Sequence, residues 1–407
     1  VADASTITSV AYIYKHRYSD RQVSEVALRE HPTFMRIPKE AAFDGQDFIY
    51  AITTGNPQGI ASKFANAQAN AASLKGGQLA ATPYLKYGVC TLDGPSMMRA
   101  RGSKASFYNL VTRTQNGVLD EQGACLAFDL FGDGSGMRGQ RASISGNVIT
   151  LTNKRDVEHF KRDMTIGAAQ NADGTSARTG TCKVTGLDRA NAKVTVDNAA
   201  GISGFSDNDY LFRDGDQGGG QCMLGMQKST PLTAPTAGDS FRGLDRSVDV
   251  EAFAGSRIND TSRYPEEVLG DIGVEISIVG KSVDYGAVFP STFKAMADRL
   301  GAKVEYEAVK GPAGASIGFA YLTLVLAGGG QVRIIADPDC RSTETRLMRQ
   351  DTHCIKHMDD LVHIIRDDGR PSLRDTSSDG LEIRSRSLMD YIQYDPSCHG
   401  VAACKST

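Results

Sequence analysis

Along this chain of 407 residues the longest single pattern of apolar and polar positions lies between Ser103 and Gly132. Phe107, Val111, Val118 and Cys125 fall on one line and Leu119, Leu126 and Leu130 on its neighbour, while Lys104, Arg113, Gln115, Asp120 and Gln122 lie between them. That spacing predicts one amphipathic helix of about 28 residues, roughly 42 Å long. Ser103 suits its N-cap and Gly132 a left-handed stop. Gly117 and Gly123 each weaken it by up to about 1 kcal/mol against alanine. Packing on both sides is therefore expected to hold the helix straight.

A different pattern precedes it. The run Phe48 to Ile52 is strand-like and leads into TTGNPQG, then a short helical piece with Ile60, Phe64, Ala67, Ala71 and Leu74 on one face, then KGGQLAATP. The chain returns along Tyr84 to Leu92, where Leu85, Tyr87 and Val89 alternate with Lys86, Gly88 and Cys90. This predicts a long two-stranded excursion with a soft tip, and few large apolar side chains with which to pack on its own domain. An isolated hairpin is marginal in water, so this one needs a neighbour. Composition alone also permits a disordered linker here. Residues 1 to 35 carry a charged block, Lys15 to Arg21, then Val23, Val26 and Leu28 before a break at His31-Pro32. They predict an extended arm with a short helix and no core of its own.

After the long helix comes FGDGSGMRGQ, in which Gly134, Gly136 and Gly139 satisfy GxGxxG. A dinucleotide site needs that motif between a strand and a helix, because the pyrophosphate sits on the helix N-terminus. Here it follows a helix and precedes a strand, so a flexible turn is the expectation. Residues 141 to 216 read as an inserted all-β module, a small barrel with short strands at Val148 to Leu151, Met164 to Ile166, Thr181 to Val184 and Val194 to Val196, and a loop-rich exit ending in GDQGGG. It carries no face of aromatic and basic residues that would favour nucleic acid.

Beyond Gln221 the pattern becomes α+β. One helix has Pro265 in its first turn, Glu266 and Glu267 beside it, Leu269, Ile272, Ile276 and Val279 on one face, and Gly280-Lys281 closing it. A second has Phe293, Met296, Ala297 and Leu300 inward and Gly301 as its stop. GFAYLTLVLA and QVRIIAD, joined by Gly328 to Gly330, predict an antiparallel hairpin buried on both faces in a second core. The tail alternates through Leu361 to Ile365 and Leu381 to Tyr394 and ends in PSCHGVAAC.

Composition narrows the classes. With 40% hydrophobic and 23% charged residues the chain is long enough for two or three folded domains. A net charge of −3 gives no cationic field to grip nucleic acid or an anionic membrane. Apolar runs such as Phe319 to Ala327 are too short to cross a bilayer, and VADASTITSV lacks the basic and apolar segments of a signal peptide. The protein is expected to stay where it is made or to leave inside an assembly. Val1 fits either a removed methionine or proteolytic maturation. The eight cysteines (90, 125, 182, 222, 340, 354, 398 and 404) are widely spaced without CxxC, which predicts reduced thiols.

Candidate chemistry is sparse. Cys340, His353, Cys354, His357 and His363 hold enough ligand types for zinc, but their spacing matches no common zinc module. His363 with Asp367 and Asp368 lacks a placed nucleophile, and the pairs Glu266-Glu267 and Asp359-Asp360 sit where a helix start and a turn want them. No catalytic, cofactor or metal site is expected. A zinc-dependent or nucleotide-binding enzyme is the alternative of a different class.

The order of elements, extended arm, long hairpin, long helix, inserted β-module, then an α+β body returning to a final strand, resembles the major capsid proteins of tailed phages, the Hong Kong 97-like fold, in the subfamily with an inserted β-domain. The stretches that carry the resemblance are FANAQANAA, LFGDGSGMRGQ, HFKRDMTIGAAQNADGT with CKVTGLDRANAKVTVDN, FRGLDRSV, and SSDGLEIRSRSLMDYIQYDPSCHGV. It implies an α+β chain with an N-terminal arm (1–40), an E-loop hairpin (41–101), a P-domain spine helix and turn (102–140), the inserted β-domain (141–216), a P-domain continuation (217–262), an A-domain (263–375) and final P-domain strands (376–407). It further implies a homo-oligomer of hexamers and pentamers forming an icosahedral shell around double-stranded DNA without sequence-specific binding. Scaffolding, protease, portal, and cement or decoration proteins are implied as partners, the virion as location, and the host cytoplasm as the place of assembly. An encapsulin-like cargo shell is the alternative within that fold. Deleting Gly55 to Gly77 is then expected to leave a soluble subunit that closes no shell.

Overall fold

The computed structural model describes residues 31–41, 45–95, 98, 104–300, 322–326, 330–365, 373–374 and 379–405. The expected arm over residues 1 to 30, the cap Ser103, the stop Gly301, Asp367 and Asp368, and the side chains of Phe107, Val111, Asp359 and Asp360 lie outside the described residues. The chain divides into two compact units, one of segments 1–30, 83–127 and 357–389, the other of 31–82, 128–356 and 390–407.

In the first unit the long helix, Lys104–Phe131, contributes its residues up to Ala127. Its neighbours are strand Tyr84–Asp93 and the part of strand Gly380–Gln393 that pairs antiparallel with it, Ile383 opposite Cys90. The alternation of Tyr84 to Leu92 is thus a strand's, as predicted, but its partner is this late strand and not Phe48 to Ile52. Gln122, read as a polar-face residue, is buried. Its Nε2 donates to the Lys86 carbonyl (3.0 Å) and its Oε1 accepts from Ser385 Oγ (2.6 Å). Those bonds satisfy an amide that would otherwise be costly to bury. Among the described residues nothing lies within 4 Å of where a Cβ would stand on Gly117 or Gly123, so the packing expected on both sides is missing at these two positions. One sheet cannot cover a whole helix circumference. The opposite face of the Tyr84–Asp93 strand leaves Leu85, Tyr87 and Val89 exposed.

The second unit holds two cores. Six strands form a mixed sheet in the order Ser256–Asn259, Gly400–Ala403, Glu344–Met348, Tyr285–Val288, Gln331–Ala336, Leu322–Val325. Helices Pro265–Ile278 and Pro290–Leu300 cover it with Val268, Leu269, Ile272, Ile276, Phe293 and Met296. Each such side chain contributes about 1.5–3 kcal/mol on burial. Pro265 opens the first helix as its missing N–H allows, and Gly280 closes it at φ +79°. Val279, expected on the same face as Leu269, Ile272 and Ile276, sits just past the helix end and is half exposed. The hairpin of Leu322–Val325 with Gln331–Ala336 is antiparallel as predicted but is not buried on both faces. Leu322–Val325 is the last strand of the sheet, and Val325, Gln331 and Arg333 are exposed.

The inserted β-module is a closed barrel of six antiparallel strands in the order Tyr210–Arg213, Met137–Ser145, Val148–Leu151, Lys193–Val196, Cys182–Asp188, Thr165–Ala169. Closure leaves no edge, and inward residues including Ile149, Ile166, Val184, Val194 and Leu211 fill it. Tyr210–Arg213 was not predicted, and Met137–Ser145 was expected only as a strand of no stated bounds after the glycine turn. Met137–Ser145 carries Arg138, Gln140 and Arg141 among its residues, and Tyr210–Arg213 lies in what read as a loop-rich exit.

Candidate assembly surface

The excursion is built on strand Phe48–Gly55, which pairs antiparallel with Lys75–Ala81 from Phe48↔Ala81 to Gly55↔Lys75. The return strand is therefore the stretch KGGQLAA, which read as part of the tip. Gly76 and Gly77 mask its β character, yet Gly77 is needed there: a Cβ at that position would come within 2.2 Å of Leu244 Cδ1.

Root and tip of this hairpin differ in kind. At the root Tyr50, Ile52, Leu79 and Ala81 are buried. Tyr50 stacks with Phe48 (6.1 Å between centroids) and meets Tyr394 edge-on at 5.9 Å. The Lys356 ammonium lies 4.7 Å from the Phe48 ring centroid and pairs with Glu40. At the tip the short helix Phe64–Ala69 buries no residue. Ile60 is 84% exposed and Phe64 82% exposed. Ile49 and Leu74 are also exposed and line an open groove of about 410 Å³ together with Tyr50, Ile52 and Gly77. Apolar side chains this bare mark a contact surface when they cluster on one element. Phe64→Ser is accordingly expected to change the melting temperature of the isolated subunit by no more than a degree or two, since exposed positions shift stability by about 0.5 kcal/mol or less. The same change should raise the concentration needed for assembly several-fold, read by light scattering.

Beneath the root lies a buried ion pair that sequence inspection missed. Arg242 and Asp390 meet at 2.7 Å, each nearly free of solvent contact, and Arg242 Nη2 also donates to the Tyr391 carbonyl (2.7 Å). Burial pushes the Asp390 carboxyl up to about 7, against the pull of Arg242. The signal available was positional: FRGLDRSV and SLMDYIQYDPSCHGV, two stretches of the resemblance, meet here.

The other candidate residues do not form a site. Cys340 is buried with its thiol toward the carbonyls of Glu344 (3.6 Å) and Ala287 (3.8 Å). His353 lies between the Tyr285 hydroxyl (2.9 Å from Nε2) and the Tyr391 hydroxyl (3.2 Å from Nδ1), and Cys354 reaches the Tyr394 hydroxyl (3.4 Å). His357 and His363 are half buried in the other unit. Among the described residues no three His, Cys, Asp or Glu side chains gather as a metal site. All eight cysteines are buried, and none is joined in a disulfide. Glu266 pairs with Arg299 (2.8 Å) and Glu267 with Arg263 (3.8 Å), as helix-start acids do. The glycine motif is a turn from helix to strand: Gly134 (φ +92°) and Gly136 (φ +74°) are left-handed, and Gly139 already lies on a barrel strand against Asp156 and Phe160. Gly132, expected as the left-handed stop, has no positive φ; its amide bonds to the Asp129 carbonyl (3.0 Å) and the left-handed turns come two and four residues later.

No protein-family model and no curated protein matches this sequence. The fold does have counterparts among solved structures. The chain is similar to the capsid of a native GTA particle computed with C5 symmetry (TM-score 0.51, 8% identity, 100% of both chains covered). It is also similar to the capsid asymmetric unit of cyanophage A-1(L) (TM-score 0.51, 11% identity, 96% of this chain and 98% of that one). At such identities the likeness is one of fold. The chain has an α+β fold resembling the Hong Kong 97-like shell proteins, with a β-barrel insertion.

Proposed function

We propose that this protein is a structural subunit of an icosahedral shell, the major capsid protein of a tailed phage. Its copies form hexamers and pentamers that close around double-stranded DNA. The observation that carries this reading is the hairpin: Ile49, Ile60, Phe64 and Leu74 stand bare on an arm whose root is firmly packed, in a chain whose whole length follows the fold of solved capsids. In this reading the hairpin of Phe48–Gly55 and Lys75–Ala81, within the 41–101 span expected of an E-loop, lies on a neighbouring subunit, residues 102–140 include the spine helix, residues 263–375 form an A-domain, and residues 141–216 form an inserted β-domain. A contact of one patch with a different patch on the next copy generates rings when the rotation closes, which is the geometry a capsomer requires. The net charge of −3 suits a wall that holds DNA without binding it tightly.

Negative-stain electron microscopy of the chain expressed alone and with a scaffolding protein tests the reading. Closed particles or capsomer rings are the expected result, and DNA filling on co-expression with packaging components separates a phage head from a cargo shell. A monomer or dimer under both conditions would remove the proposal.

A further inference from the structure

The turn Phe241-Arg242-Gly243-Leu244 joins the short antiparallel strands Ser240–Phe241 and Leu244–Asp245. Both central residues have positive φ, +52° at Arg242 and +90° at Gly243. That is the left-handed pairing of a type I′ turn, whose first central position favours Asn, Asp or Gly. An arginine there is strained, and strain of this kind persists only where surrounding contacts impose it. The guanidinium is held by Asp390 and by the Tyr391 carbonyl, with the Tyr50 phenol facing the same pair. The carbonyl of Arg242 accepts from the Ala80 amide of the hairpin's return strand (3.1 Å), and Leu244 packs on Gly77.

We propose that Arg242 is the pin of a releasable seat for the hairpin, its ion pair with Asp390 holding the turn in the left-handed form that presents the carbonyl to Ala80. Breaking the pair lets the turn relax and withdraws that acceptor, so one buried contact sets the direction in which the arm leaves the body. The functional weight of this rests on the hairpin's reaching a neighbouring subunit. Arg242 is a positioning residue in it.

The test is amide exchange at Ala80 in unassembled subunits, with Leu347 of the six-stranded sheet as control. Asp390→Asn and the double variant Arg242→Ala with Asp390→Asn should each speed Ala80 exchange at least tenfold and Leu347 less than twofold. Arg242→Gly with Asp390→Asn should keep Ala80 protected, because glycine holds the left-handed turn without a pin. Unchanged exchange in all variants would overturn the proposal. Equal loss in the alanine and glycine doubles would overturn it too, since packing rather than turn conformation would then hold the hairpin. Because exchange is read on free subunits, the result stands apart from whether wild-type chains close shells.

Discussion

Replacing residues 56–74 by an Asn-Gly turn should yield a subunit that folds normally and closes no shell. Gly55 faces Lys75 across the hairpin, so two residues suffice to connect them in a tight turn. The buried root, Tyr50, Ile52, Leu79 and Ala81, is untouched. The removed segment contributes no buried side chain from its short helix, and shortening a loop of roughly twenty residues to two lowers its closure cost by about 2 kcal/mol. Thermal unfolding should therefore be unchanged or a few degrees higher. Electron microscopy and light scattering should show subunits or small oligomers only. Normal closed particles from this variant would refute the account of the hairpin as an intersubunit arm. The broader excision from Gly55 to Gly77 is a worse experiment, because Lys75, Gly76 and Gly77 belong to the return strand.

Acid should unfold the free subunit steeply, and His353 should account for much of that slope. The ring is 1% exposed between two tyrosine hydroxyls, and 5.0 Å separates it from the ring of the equally buried His399. Burial lowers the His353 pKa to about 3 and pushes that of His399 well below the usual range as well. For a histidine depressed in the folded state, its share of stability is complete above the unfolded value of about 6.5 and is lost as pH falls toward 3. Below pH 6.5 the unfolded chain takes up a proton that the folded one refuses, a tenfold change in the unfolding equilibrium per pH unit. Over the full window this amounts to about 4–5 kcal/mol for His353. Urea denaturation of wild type and His353→Gln between pH 7 and pH 4 measures it. The amide of glutamine can serve both tyrosines without titrating, so the variant should lose about one proton's worth of slope. Parallel slopes would show that His353 is not the acid-sensitive group.

Elements whose signal is local were legible before any coordinates. The long helix, the Pro265 and Pro290 helices, four of the six barrel strands and the glycine turn each declare themselves by a period or a stop residue. Pairing was not legible. Tyr84–Asp93 shows the alternation of a strand but nothing in it names Gly380–Gln393, nearly three hundred residues away, as partner. Lys75–Ala81 was hidden because its glycines lower β propensity while making room for Leu244. The cysteine and histidine cluster looked like chemistry in one dimension only. In three dimensions Cys340, His353 and Cys354 each take separate partners.

By itself, then, the sequence determined periodicity, composition and order: where helices start and stop, that a β-module interrupts an α+β chain, and that one hairpin carries apolar residues it has no means of covering. These follow from interactions within a few residues. Only the tertiary structure decided which strands pair, that Gln122 is buried, and that Arg242 and Asp390 meet beneath the hairpin. Such contacts join residues from about twenty to about three hundred positions apart, and a side chain's local pattern carries no information about the partner that burial will select for it.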